Sequence, residues 1–274
     1  MPSAKRERQR EGRESRRIAE AIAQKRKQRF RSIRNVGLIV IAIIVAIVVL
    51  SLRSGGDKKP VAATDSSSSA APTPVAITVP APGASVTGDT SCPAADGSSP
   101  RSTSFEKAPP MCIDAAKTYT ATVETSKGSI TIALDAKSAP NTVNNFVVLA
   151  RYHFFDGVAF HRIIPGFVDQ VGDAVGPTPG QGGPGYTIAD ELPTAASPYP
   201  EGAVAMANNS TPNTSGSQWF IVIGTGGSGL TSSYNLLGTI SAGLDVAKAI
   251  NDSGTQSGTP TEEIVINSVT ITES

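Results

Sequence analysis

Three polar side chains stand where the surrounding sequence is apolar. Arg162 lies inside AFHRIIPGF, Gln170 lies two residues before Gly172, and Gln218 adjoins Trp219 and Phe220. A guanidinium or an amide in such a run must be hydrogen-bonded or must face a cleft, because burying it unpaired is costly. The three therefore predict a shallow apolar site that contains a fixed positive charge. Other catalytic constellations are missing. His153 and His161 are the two histidines, eight positions apart, without a metal-ligand spacing. There is no G-x-S-x-G nucleophile turn, GQGGPG does not match a phosphate-binding loop, and the carboxylates are scattered. Neither a metal nor a cofactor is expected.

The residues after Lys117 must position these groups. YTATVETSKGSITIALD alternates apolar and polar residues on both sides of a Ser126-Lys127-Gly128 turn, the period of paired strands. A helix follows, with Ser138 placed to cap it, Pro140 in its first turn, and Val143, Phe146, Val147 and Ala150 on one apolar face. GVAFHRIIPGFVDQVGD is strand-like until Pro165 and Gly166 interrupt it. The stretches VGDAVGPTPGQGGPG and NNSTPNTSGS read as loops, QWFIVIG as a strand apolar on both faces, GLDVAKAI as a short helix, and EEIVINSVTIT as a closing strand. Short strands, long glycine-rich loops and only two helices predict a β-dominated domain, a closed antiparallel barrel that leaves no exposed edge.

The whole chain has 274 residues and a net charge of +1, but the charge is unevenly spread. Residues 1–34 hold 13 Lys/Arg against 4 Glu, so a +9 tail is joined to a remainder of −8. An acidic body argues against nucleic acid as a partner. Residues 35–52, NVGLIVIAIIVAIVVLSL, are 18 uncharged residues, about the minimum for a bilayer span. The basic tail should stay in the cytoplasm and the rest of the chain should lie outside, as a single-pass protein of the cell membrane. A cleaved signal peptide is the nearest rival, but the tail is long for one and no A-x-A site directly follows the apolar run. Residues 53–90, rich in Pro, Ser and Ala, read as a flexible linker. Residues 91–117 contain the only cysteines, Cys92 and Cys112, expected to pair outside the membrane; buried free thiols and a metal site are the weaker readings. The bridge lies far before Arg162 in sequence, so its reduction should cost stability and spare the site. Residues 118–274 form the compact domain.

FHRIIPGFVDQVGD (Phe160–Asp173), GQGGPGYTIADE (Gly180–Glu191) and GAVAMANNSTPNTSGSQWFI (Gly202–Ile221) follow one another along the chain. Together they resemble the three successive signatures of the cyclophilin peptidyl-prolyl cis-trans isomerases, with similarity from about Thr118 to Ile271. The resemblance implies an eight-stranded antiparallel barrel capped by two helices, and an enzyme that rotates X-Pro bonds. It points to a bacterial, membrane-anchored member that acts on proline-containing peptides and on unfolded or secreted proteins.

By the same resemblance Arg162 takes the position of the catalytic arginine and Gln170 assists it. Phe167, Met206, Phe220 and Leu230 fall on positions that hold the proline ring, Ala207 and Asn208 on backbone that lines the peptide, and Gln218 on a supporting polar residue. Tyr234 stands where histidine is usual, and His161 reads as structural. The sequence departs from the family at Gly229, where many eukaryotic members have tryptophan, at Val171, at Trp219 and by one extra residue in MANNSTPNT. These departures bear on peptide preference and on binding of cyclosporin-like macrocycles. A membrane-tethered module that binds proline peptides with little turnover is the alternative function. A structural cell-wall binder would need aromatic repeats or a charged stripe, and neither is visible.

Overall fold

In the computed structural model, which describes residues 75–176, 178–195 and 199–274, two short strands come first, β1 (Ala84–Val86) and β2 (Ser102–Phe105). The hairpin β3 (Tyr119–Thr125) and β4 (Gly128–Leu134) follows, then helix α1 (Pro140–Arg151) and strands β5 (Arg162–Ile164) and β6 (Val168–Val171). The chain continues through β7 (Ala203–Met206), β8 (Trp219–Val222), a 3-10 turn (Gly226–Gly229), β9 (Leu236–Ala242), α2 (Leu244–Asn251) and β10 (Ile266–Glu273). The basic tail, the expected span at 35–52 and the linker up to residue 74 lie outside the described residues. Among the described residues, no helix is long and apolar enough to cross a membrane.

Alternation builds the hairpin as the sequence predicts. Tyr119, Ala121 and Val123 of β3 and Ile130, Ile132 and Leu134 of β4 turn inward, while Thr125 pairs with Gly128 across the two-residue turn. Eight strands form one antiparallel sheet in the order β10-β3-β4-β9-β7-β8-β6-β5. α1 buries Val143, Phe146, Val147 and Ala150 and packs against β9 and β10, whereas α2 packs against β4, β5 and β6. The main core is aromatic at its centre: Phe146 stacks on Phe155, and Phe146, Phe155 and Phe160 meet Trp219 edge-on.

The sheet is a curled half-barrel, not the closed barrel expected from the sequence. β5 and β10 do not pair; the chain just before each meets only through an isolated bridge, Ala159 to Val265, flanked by hydrogen bonds from Phe160 N–H to Ile264 C=O and from Ile266 N–H to Val158 C=O, both 2.9 Å. β5 has only three residues before Pro165. Its outer edge is also occupied by the 255–258 loop, where Ile163 N–H donates to Gly258 C=O at 2.8 Å. Closure by a continuous ladder is therefore impossible there.

Ser138 does not cap α1. The cap residue is Ala139, without a side-chain bond, and Pro140 begins the helix. Glu191 from a distant loop substitutes, accepting from the N–H groups of Asn141 at 3.0 Å and Thr142 at 2.7 Å. Residues 75–90, linker by composition, are partly fastened here. Val75 N–H donates to Pro260 C=O at 3.1 Å, Thr90 Oγ1 donates to Lys107 C=O at 2.6 Å, and β1 pairs in parallel with β2. Cys92 and Cys112 form a disulfide that encloses β2.

Candidate active site

Register sets the site. Arg162 of β5 lies opposite Gln170 of β6, Gln170 opposite Phe220 of β8, and Phe220 opposite Ala205 of β7. Opposed residues of antiparallel strands share a face, so guanidinium, amide and phenyl ring form one row. The turn from β5 to β6 places Phe167 at the end of that row. Phe167 N–H donates to Ile164 C=O at 3.0 Å, and its ring lies so close to Gly226 that any side chain there would displace it. The row borders a cleft of about 130 Å³ lined by Arg162, Phe167, Val168, Gln170, Ala207, Asn208, Phe220, Leu230 and Tyr234.

Beneath the cleft is a second, smaller core. Val168, Tyr199, Ala203, Ala205, Phe220 and Val222 are buried together, with Phe167, Ala207, Leu230 and Tyr234 packed at its edge. The opposite faces of the same strands, Val204 and Met206 of β7 and Trp219 and Ile221 of β8, belong to the main core. Met206 is thus fully buried on the wrong side for the cleft. Val168, which the sequence reading missed, occupies the wall instead. Strand alternation could have shown it: Val168 lies two positions before Gln170 on β6 and so shares its face. Tyr199 was missed as well. Its hydroxyl donates to Tyr234 C=O at 2.6 Å and accepts from Tyr234 N–H at 2.9 Å, holding the Tyr234 ring edge-on to Phe220 at 5.3 Å.

The polar groups form a directed chain. Arg162 donates to Gln170 Oε1 at 3.4 Å, Gln170 Nε2 donates to Gln218 Oε1 at 3.0 Å, and Gln218 Nε2 donates to the carbonyls of Gly180 and Gly182, both at 2.9 Å. Every amide is thereby oriented by a partner of opposite type. Gln218 does not line the cleft. It lines an adjoining groove of about 460 Å³, with Gly180, Gly182, Pro184, Tyr186 and Gly216 among its walls, and this groove shares Gln170, Ala207 and Asn208 with the cleft. Asp173 secures the groove loop, accepting from Gly176 N–H at 3.0 Å and Gly182 N–H at 2.9 Å. Asn208 Nδ2 donates to Ser233 C=O at 2.7 Å, tying the two loops that flank the cleft.

Charge is isolated here. Among the described residues, Arg162 has no carboxylate partner, so its positive field is directed into the cleft. Burial pushes the His161 imidazole below its usual pKa, against the pull of Asp173 and with help from Arg162. His161 is therefore neutral at neutral pH. Asp169 points away from the cleft, where burial raises its pKa to about 7 and Asn251 Nδ2 donates to it at 2.6 Å. The arrangement can hold a small apolar ring against a fixed hydrogen-bond donor, with no acid or base poised for proton transfer.

Residues 120–271 match the family model described as cyclophilin type peptidyl-prolyl cis-trans isomerase/CLD. The chain is 39% identical over 175 residues to the peptidyl-prolyl cis-trans isomerase A of Mycobacterium tuberculosis, covering 56% of this chain and 92% of that protein. It is 38% identical over 173 residues to the peptidyl-prolyl cis-trans isomerase B of Streptomyces anulatus, covering 55% of this chain and 95% of that protein. Among solved structures, a cyclophilin type isomerase of Cryptosporidium parvum superposes with a TM-score of 0.52 at 26% identity, covering 57% of this chain and 98% of its own. A second structure of that protein, determined in the presence of the dipeptide Ala-Pro, gives the same TM-score of 0.52 at 27% identity. With more than half of its length matched by that family model, this chain belongs to the cyclophilin type peptidyl-prolyl cis-trans isomerase family.

Proposed function

We propose that this protein is a membrane-anchored peptidyl-prolyl cis-trans isomerase that acts on proteins outside the membrane, with Arg162 as the group that lowers the rotational barrier. The observation that carries the reading is the row of Arg162, Gln170 and Phe220 beside a cleft sized for a proline ring. An X-Pro bond resists rotation by about 18–20 kcal/mol because the nitrogen lone pair is delocalised into the carbonyl. Uncatalysed exchange takes tens to hundreds of seconds. At the twisted geometry the nitrogen becomes pyramidal and basic. A guanidinium N–H held beside it binds that state more tightly than the planar one, which is the condition for acceleration. Arginine suits the task because it stays protonated and its planar fork can also meet the adjacent carbonyl, while Gln170 fixes its direction. Phe167, Val168, Phe220, Leu230 and Tyr234 hold the ring while the rest of the peptide turns.

The placement outside the membrane rests on the +9 tail, the uncharged run at 35–52 and the Cys92–Cys112 disulfide, which suits an oxidising compartment. Exchange of a blocked Ala-Pro peptide, followed with and without the protein, separates the isomerase from a module that only binds proline peptides. Faster exchange at catalytic protein concentration supports the isomerase. Saturable binding with no acceleration supports the binding module.

A further inference from the structure

We propose that Phe105, in the disulfide-bound extension that precedes the family domain, is a positioning residue that sets the wall of the peptide groove beside the proline cleft. The proposal rests on the isomerase reading for its effect on catalysis. β2 lies outside residues 120–271, the part matched by the family, so the chemistry above gives it no task. Its contacts do. Phe105 N–H donates to Pro184 C=O at 2.8 Å. Gly185 adopts φ +103°, and a Cβ there would collide with Phe105 C=O, so the two backbones meet at a distance only glycine permits.

The Phe105 ring is buried between Tyr152, 5.3 Å away, and Tyr186, 6.2 Å away, both edge-on. Tyr186 donates its hydroxyl to Asn145 Oδ1 at 2.8 Å, and Asn145 Nδ2 donates to Gly216 C=O at 2.8 Å. Pro184, Tyr186 and Gly216 all line the larger groove. Phe105 therefore supports one wall directly and another through two hydrogen bonds. The loop it supports presents the Gly180 and Gly182 carbonyls that orient Gln218, which in turn orients Gln170. Asp173 braces that loop from within the domain, and Phe105 braces it from outside.

Phe105 is itself held in place. The Cys92–Cys112 bridge encloses β2, Cys112 N–H donates to Asn144 Oδ1 at 2.7 Å, and Ser102 N–H donates to Tyr152 C=O at 2.9 Å. The bridge is remote from Arg162 in sequence, yet it fastens a strand that touches the groove wall at Pro184.

The test compares full-length wild type, Phe105→Ala, Phe105→Leu and C92S/C112S on two substrates. One is a blocked X-Pro dipeptide that fills only the proline cleft, and the other is a peptide extended on both sides of the proline. Phe105→Ala should lower kcat/KM for the extended peptide by about fivefold or more, chiefly through KM, and by less than about twofold for the dipeptide. Phe105→Leu should recover most of the loss. Amide hydrogen exchange should quicken at residues 180–185 while β3 and β4 keep their protection. Should Phe105→Ala not fold, Phe105→Leu and C92S/C112S must show the same pattern at smaller amplitude. Equal losses on both peptides, an unchanged KM for the extended peptide in a folded variant, or exchange that rises uniformly would overturn the proposal. Inactivity of the wild type on both substrates would overturn the isomerase reading instead, and the exchange pattern alone would then decide whether Phe105 positions the loop.

Discussion

Arg162 and Gln170 owe their meeting to a single antiparallel register, and Gln170 owes its orientation to Gln218. Removing Gln218 while keeping its bulk, as Gln218→Leu, should therefore slow isomerisation several-fold without unfolding the protein, an effect that rate measurements beside a melting curve would reveal. The faces of β6 and β7 lead to an opposed pair of expectations. Met206→Ala should cost about 2–5 kcal/mol of stability, as core truncations do, yet leave KM for a short peptide nearly unchanged. Val168→Ala should raise KM instead. Urea melts and steady-state kinetics on the two variants distinguish core from cleft. The sequence motifs made most of the lining residues legible because Phe167, Phe220, Leu230 and Tyr234 sit in loops or strands whose neighbours are distinctive. They could not tell which face Met206 takes, since a motif records order along the chain while the side of a strand is fixed by alternation. At Gly229 a Cβ would meet nothing within 4 Å. Gly229→Trp should therefore fold normally and bind cyclosporin-like macrocycles more tightly than wild type, which calorimetry can measure.

Elements were read well where local pattern suffices and poorly where a partner comes from elsewhere in the chain. The hairpin of β3 and β4 and the apolar face of α1 are local, and both form as expected. The start of α1 is not local. Glu191 lies about 50 positions from the amides it serves, so no nearby residue announces it, and Ser138 was the only visible candidate. A carboxylate at a helix amino terminus satisfies free N–H groups and meets the favourable end of the dipole. Glu191→Ala should accordingly lower stability by about 1–2 kcal/mol in a urea melt, with Glu191→Gln losing less. The open edge between β5 and β10 has the same origin: the 255–258 loop that covers β5 is brought there by the fold, and strand alternation carries no sign of it. Composition likewise labelled residues 75–90 as linker, although their backbone finds partners in β2 and in the loop at Pro260.

For the molecule as a whole, charge leads to two predictions, one on placement and one on stability. The +9 tail should keep the amino terminus inside, so protease added to intact cells should digest the isomerase domain and spare an amino-terminal tag; protection of both would refute this topology. Within the domain, buried Asp169 holds its proton up to about pH 7, whereas in the unfolded chain it releases it near 3.8. The folded state binds more protons across that interval, so this group makes stability fall as pH rises between those values and reach its full cost above them. His161 acts in the opposite sense, since burial lowers its pKa and stability is lost as pH drops below its ordinary 6.5. Asp169→Asn should remove the first slope and leave the second. Melting temperature recorded against pH for both proteins provides the check, and an unchanged slope in the variant would contradict the assignment.

The claim on which the rest depends is that the Arg162 guanidinium binds the twisted X-Pro bond better than the planar one. Catalysed exchange of one proline peptide should be measured for wild type, Arg162→Ala and Arg162→Lys under identical conditions, with the fold of each verified by its melting curve. The alanine variant should lose at least about tenfold in kcat/KM, equivalent to about 1.4 kcal/mol of transition-state binding, and lysine should restore only part of it because it lacks the planar fork. An alanine variant that is folded and exchanges the peptide at the wild-type rate would contradict the account.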